Sequence, residues 1–212
     1  MDLFDGIETN KLEISNEAFL LKGYALANEV ALLKDLTQVL SQAPLRHMVT
    51  KNGFAISAAM TNCGALGWVS DRQGYRYDSK DPITDNHWPL MPESFQQLAI
   101  SSAENAGFVG FQPDACLINQ YQVGTSMGLH QDKNELDFNQ PIVSVSLGIP
   151  AVFKFCGLTR TDKTLKIPLA HGDVVVWGGQ SRLNFHAIAP LKMNTHPILG
   201  AYRYNLTFRK AG

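Results

Sequence analysis

Cysteine is scarce and net charge is close to zero in this 212-residue chain. Cys63, Cys116 and Cys156 are odd in number and far apart in sequence, which excludes a disulfide framework and a zinc knuckle. They read as small buried hydrophobes in a reducing, cytoplasmic setting. The opening Met-Asp-Leu-Phe-Asp-Gly-Ile-Glu has no basic stretch followed by an apolar one, so no signal peptide is expected. No apolar run approaches the roughly 18 residues of a membrane span, so no membrane partner is expected either. Repeats, low-complexity tracts and Gly/Ser linkers are also missing, and a single domain over residues 1–212 follows. A hydrophobic content of 45% with 17% charged residues excludes a disordered chain.

The net charge of −1 argues against non-specific nucleic-acid binding, but its distribution is uneven. Residues 1–149 hold 9 Lys/Arg against 17 Asp/Glu, a net −8, whereas residues 150–212 hold 9 against 2, a net +7. A basic C-terminal third can attract an anionic substrate or cosubstrate, or be no more than a solvated face.

Hydrophobic spacing predicts a helix over 27–42, where Val30, Leu33, Leu36 and Leu40 recur at helical steps before Pro44. A second is expected over 93–106, between Pro92 and Gly107. From 115 the pattern changes to short β runs at 115–121, 142–148, 151–156, 164–169, 173–178, 183–188 and 201–209. Seven such runs predict a double-sheet jelly roll or barrel, mostly β with flanking helices, and the core is expected over about 115–210. Residues 45–91, rich in aromatics and glycines, read as a lid or hairpin-rich insertion, and the first dozen residues as frayed.

His130-Gln131-Asp132 is expected in a loop just after a strand, where residues i and i+2 of extended backbone point the same way. The imidazole and carboxylate can then share one ion, with His186 on a later strand as third ligand. Two imidazoles and one carboxylate on one face of an octahedron leave three positions open, which suits non-haem Fe(II) with a bidentate cosubstrate and O2. A His-x-Asp pair alone is a weak signal. His47, His87, His171 and His196 lack a carboxylate two residues further on, apart from the Asp173 that follows the turn at His171-Gly172, and read as turn or structural residues.

The run Arg203-Tyr204-Asn205-Leu206-Thr207-Phe208-Arg209 puts Arg203, Asn205, Thr207 and Arg209 on one face and three apolar residues on the other. Inside a barrel, two arginines are costly unless they meet anions. A dicarboxylate such as 2-oxoglutarate supplies two, in a form that guanidinium binds bidentately. Asn119 and Tyr121, again i and i+2, can add hydrogen bonds from across the cavity. The competing reading of this alternation is an exposed edge strand. A zinc hydrolase would use similar ligands but leaves the paired arginines unexplained.

Taken together, Asn119-Gln120-Tyr121, His130-Gln131-Asp132-Lys133, Ser181-Arg182-Leu183 with His186, and Arg203 through Arg209 closely resemble bacterial alkylation-repair dioxygenases of the AlkB type. The likeness extends through Ala59-Met60-Thr61-Asn62-Cys63-Gly64 and Gly172-Asp173-Val174-Val175-Val176-Trp177, covering most of residues 45–210. It implies a double-stranded β-helix, cupin-like core with an N-terminal nucleotide-recognition lid. It also implies the cofactors Fe(II), 2-oxoglutarate and O2, with methyl groups removed from bases such as 1-methyladenine and 3-methylcytosine as formaldehyde, beside succinate and CO2. The implied partners are methylated single-stranded DNA or RNA, and also duplex DNA, met by a monomer. By the same resemblance Trp68 stacks on the flipped base with His130, while Thr50, Tyr75 and Arg160 line the nucleotide path. One position departs from the pattern: Asn134 stands where, by the same resemblance, the family carries an acidic residue facing the base edge. A 2-oxoglutarate oxygenase acting on a protein or small molecule would share the fold and the triad.

Overall fold

β-branched and aromatic runs cut by Gly, Pro, Asn and Asp give fourteen strands among the described residues, 10–212, of the computed structural model. All strand pairs are antiparallel. An eight-stranded sheet runs β1 (Lys11–Ser15), β2 (Ala18–Leu21), β12 (Val174–Trp177), β9 (Ile142–Gly148), β14 (Arg203–Arg209), β7 (Ala115–Tyr121), β4 (Ala55–Gly64) and β3 (Arg46–Val49). A four-stranded sheet runs β11 (Leu165–Leu169), β10 (Ala151–Phe155), β13 (His186–Ile188) and β8 (Met127–His130). The hairpin of β5 (Gly67–Asp71) and β6 (Gly74–Asp78) forms a sheet of its own.

The helices α1 (Glu29–Gln42) and α2 (Glu93–Ala106) cover the outer face of the large sheet. Pro92 opens α2, where its missing N–H is not needed, and Gly107 closes it at φ 100°, a left-handed angle suited to glycine. Two apolar cores result. One lies between helices and sheet, with Leu32, Phe95, Val145, Leu206 and Phe208. The other lies between the two sheets, with Met60, Tyr121, Phe153, Phe155 and Trp177. Strands β9 and β14 are therefore buried along their whole length on both faces. The row Tyr204, Leu206, Phe208 packs under the helices, which turns Arg203, Asn205, Thr207 and Arg209 into the space between the sheets. That settles the edge-strand alternative, because β14 sits between β9 and β7.

Several expectations need correction. The buried stripe of α1 is Leu32, Leu36 and Val39, while Val30 is 83% exposed. Large-sheet strands begin well before residue 115: β1 and β2 extend one edge, β3 and β4 the other. Of residues 45–91, β3 and β4 thus belong to the core sandwich, and the hairpin β5–β6 stands apart. Of the expected frayed dozen, residues 1–9 lie outside the described residues, and Lys11 already pairs with Leu21. Residues 183–185 precede β13 rather than forming part of it, and β8 was not foreseen. Cys63 and Cys116, distant in sequence, are cross-strand partners of β4 and β7, both free and buried. No helix is long and apolar enough to cross a membrane among the described residues.

Candidate active site

The space between the sheets opens as a cavity of about 100 Å³ whose wall includes His130, Asp132, His186, Asn119, Asn205 and Arg209. His130 ends β8 and His186 begins β13, and the two are cross-strand partners, which brings their ring centroids to 4.3 Å. His130 is therefore a strand residue, not a loop residue. Asp132 follows two positions on, with its carboxylate 3.8 Å from His130 Nε2 and 3.7 Å from His186 Nε2. Each ring is oriented from behind: His130 Nδ1 donates to Gly128 O (2.8 Å) and His186 Nδ1 to Asn184 O (3.1 Å). A carbonyl only accepts, so both protons sit on Nδ1 and both Nε2 lone pairs face the carboxylate, as a metal requires.

Electrostatics agree with that ligand set. Burial and the neighbouring His130 push the His186 imidazole down to about 4, so it is neutral at neutral pH. Burial alone would raise the Asp132 carboxyl, but Arg209 and the two imidazoles outweigh it and hold it well below the usual range. Three ligand atoms within 4.8 Å of one another fit a single divalent cation and leave coordination positions free. Trp177 and Phe153 pack on the His186 ring at 5.1 and 5.9 Å between centroids, excluding solvent from the ligand's back.

A second gathering, Glu29, His171 and His196, differs in one decisive respect. His171 Nδ1 accepts the Gly148 N–H (2.8 Å), and His196 Nδ1 accepts those of Ile198 and Leu199 (3.3 Å each). Their protons are thereby assigned to Nε2, which faces Glu29 from His171 at 3.0 Å. With a proton on each, those nitrogens offer no lone pair to a metal, and the structural reading of both histidines stands.

Register places the polar row of β14 beside its helpers: Arg203 opposite Tyr121, and Asn205 opposite Asn119. Arg203 is 1% exposed, with one bond from Nη2 to Ser146 Oγ (2.9 Å) and its Nε and Nη1 without a partner. Asn119 Oδ1 and Arg209 Nη1 are likewise unpartnered. The unpaired arginine donors are costly in isolation and fit an anion, whereas the Asn119 oxygen can only accept. The two arginines are not equivalent. Arg209 binds Asp132 Oδ2 through Nη2 (2.7 Å) and Nε (3.1 Å), whereas Arg203 lies deeper, off the cavity lining.

The hairpin faces the cavity mouth. Trp68 lines it, stacks on Tyr75 (5.6 Å, 14° between planes) and donates from Nε1 to Asn134 Oδ1 at 3.3 Å. Arg160 donates to Leu129 O (2.7 Å), next to His130, and lies over Phe185. Thr50 is off the lining and caps a turn, its Oγ1 accepting the Phe54 N–H at 3.2 Å. Sequence reasoning missed the buried cluster behind Asp132. There Glu135 accepts from Tyr77 (2.6 Å) and Arg182 (3.0 Å), with Arg209 Nε 3.4 Å away. The available signal was a carboxylate three residues after Asp132 with Arg182 near His186, but nothing in sequence pairs them.

Residues 18–209 match the 2OG-Fe(II) oxygenase superfamily. The chain is similar to the alpha-ketoglutarate-dependent dioxygenase AlkB of Salmonella typhimurium, at 52% identity over 100% of this chain and 98% of the relative. It is 51% identical to its Escherichia coli counterpart, over 100% and 98%. The solved structure of OsALKBH1 superposes with a TM-score of 0.82 at 27% identity, covering 94% of this chain and 99% of that one. Two metal-ready imidazoles beside one carboxylate, backed by unpaired arginine donors, thus agree with the full-length likeness, and the chain belongs to the 2OG-Fe(II) oxygenase superfamily as an AlkB-type dioxygenase using Fe(II), 2-oxoglutarate and O2.

Proposed function

We propose that this enzyme oxidatively removes N-linked methyl groups from bases of DNA, and of RNA, with 1-methyladenine and 3-methylcytosine as the substrate type. The observation that carries the reading is the Trp68–Tyr75 stack on the cavity mouth, a flat aromatic surface beside the ligand triad. In this reading His130, Asp132 and His186 hold the iron, and Arg203, Asn205, Asn119, Tyr121 and Arg209 hold 2-oxoglutarate. Iron and cosubstrate supply O2 activation when bound, with succinate and CO2 as by-products. The chain's own residues do the rest. Trp68 stacks on the flipped base, Tyr75 and Arg160 guide the nucleotide, and the apolar wall excludes water from the N-methyl carbon. Hydroxylated there, the methyl group leaves as formaldehyde and the base is restored. Thr50 has its hydroxyl engaged in a turn and is assigned to the nucleotide path only through the resemblance. A single strand spares the cost of unpairing, so we assign it priority over duplex DNA. One chain supplies every residue named, so a monomer suffices. The free, buried cysteines fit the cytoplasm. Succinate release with a methylated oligonucleotide, against an unmethylated one and against candidate protein or small-molecule substrates, tests the reading.

Trp68→Ala should weaken binding of methylated oligonucleotides by about 1–3 kcal/mol, the worth of one base–aromatic stack, and leave 2-oxoglutarate affinity unchanged. Anisotropy and cosubstrate titrations measure both. The reverse pattern would assign Trp68 to the cosubstrate pocket or the core.

Asn134 offers a finer test. Its Oδ1 accepts the Trp68 indole N–H, and Glu135 is already engaged by Tyr77 and Arg182. Glu135 is therefore a poor stand-in for the missing acidic group at the base edge. A carboxylate at 134 would still accept the indole bond and would add an anion that favours a cationic methylated base. Asn134→Asp should shift the ratio of kcat/KM between 1-methyladenine and 3-methylcytosine, with iron and 2-oxoglutarate binding intact. Identical ratios in variant and parent remove Asn134 from base reading.

A further inference from the structure

We propose that the outer face of the four-stranded sheet is a second contact for the nucleic acid, where Lys154 and Lys166 clamp one backbone phosphate away from the flipped base. The inference rests on the nucleic-acid reading above and adds a site to it.

Strand β10 alternates. Phe153 and Phe155 are buried between the sheets, which turns Lys154 to the opposite, outer face. Lys154 is the cross-strand partner of Lys166 on β11, where Ile167 and Leu169 face inward and Lys166 is exposed. Directly opposed residues have Cβ atoms about 4.5–5.5 Å apart, and like charges so placed are destabilising. Among the described residues no carboxylate stands within ion-pair distance of either lysine. The acid closest in sequence, Asp162, is turned into its own loop and accepts the Thr159 N–H at 2.8 Å. Lys154 also walls a hollow of about 290 Å³ with Ser126, Leu129, Thr164 and Pro190, and no acidic residue lines it. Two lysines paired across strands with no acid within ion-pair distance match a single monoanionic oxygen cluster, and phosphate is the anion that the substrate carries in a row.

Position fits as well. Leu129 precedes the triad residue His130, lines the hollow and accepts from Arg160, so the hollow adjoins the cationic side of the cavity mouth. In sheet order β10 is two strands from β8. At about 4.8 Å per strand that is about 10 Å in the plane of the sheet, and the lysines stand on the face opposite the cavity, so the nucleic acid reaches them by passing the β8 edge. The clamp therefore engages a phosphate farther along the strand than the two that flank the base in the cavity, beyond the reach of a trinucleotide with a central lesion.

The experiment compares the iron- and 2-oxoglutarate-loaded parent with Lys154→Gln/Lys166→Gln, and with Lys34→Gln on the helix side as a charge control. Binding of a methylated 15-mer is titrated by anisotropy from 50 to 200 mM salt, and turnover of a methylated trinucleotide is measured in parallel. One phosphate contact contributes a slope of about 0.7 in log affinity against log salt for a single strand. Across that range the parent should lose about 2.6-fold more affinity than the double variant, with the Lys34 variant matching the parent and all three equal on the trinucleotide. Equal slopes in parent and double variant would overturn the clamp while leaving the demethylase reading in place. A parallel loss on the trinucleotide would also overturn it, since the lysines would then act on the site itself. A parent that neither binds nor demethylates any methylated oligonucleotide removes the underlying reading and the clamp with it.

Discussion

His186→Ala is expected to abolish succinate formation and to release iron, the largest effect of any single substitution in this chain. Loss of an outer-shell partner of a metal ligand costs about 10–100-fold in affinity, and loss of the ligand itself should exceed that. The geometry makes the test specific. His186 is 6% exposed, its Nδ1 proton is fixed by Asn184 O, and its Nε2 has Asp132 and His130 as the groups around it. Iron titration of the purified variant, read by calorimetry, separates lost metal from a lost fold, which circular dichroism monitors. His171→Ala is the matched control: its Nδ1 is engaged by a backbone donor, so turnover should persist. Succinate formation at the parent's rate in the His186 variant would dissolve the triad.

Arg203→Ala should raise the 2-oxoglutarate requirement by tenfold at the least. Truncating one partner of a buried, hydrogen-bonded charge pair costs about 2–5 kcal/mol, much of it for the carboxylate left unpaired. Arg203 and Arg209 should then separate in iron binding. Arg209 grips Asp132, the carboxylate proposed to bind the metal, so Arg209→Ala should loosen iron and cosubstrate together. Arg203 bonds to Ser146 and faces Tyr121, so its loss should spare iron. Without cosubstrate its unpaired Nε and Nη1 are a burden of about 1–3 kcal/mol each, so Arg203→Met should not lower the thermal stability of the ligand-free protein. An unchanged 2-oxoglutarate affinity in both arginine variants counts against the assignment.

What could be read without coordinates was whatever local periodicity encodes. The seven residues of β14 alternate so regularly that their two faces were assignable, and the i, i+2 spacing of His130 and Asp132 aimed both at one point. The helix over 93–106 was bounded by Pro92 and Gly107, and both ends hold. Pairings between distant segments were not legible. Met127-Gly128-Leu129-His130 looks like loop until β13 is laid beside it, and the irregular register between them turns His130 toward its partner. In helix α1 Leu33, Leu36 and Leu40 pack toward the core as their spacing suggested, but Val30 fits the pattern as well as Leu32 does, and only contact with α2 and the sheet decides between them. The Glu135–Arg182–Tyr77 cluster joins three segments that no sequence period links.

Strands β9 and β14 divide the molecule into a half that is finished on folding and a half that is not. On the helix side the buried faces are largely apolar and closed, while on the other side the wall carries arginine donors that suit an anion. The ligand-free protein should therefore loosen from one side only. Amides of β10 and β11 would exchange with solvent first, and a protease would cut there while the helix-backed sheet persisted. Mass action then ties endurance to supply, because a ligand at a hundred times its Kd adds about 2.7 kcal/mol to the folded state. A cell short of 2-oxoglutarate would hold fewer copies of this enzyme as well as slower ones, and its abundance would record the metabolite that drives it.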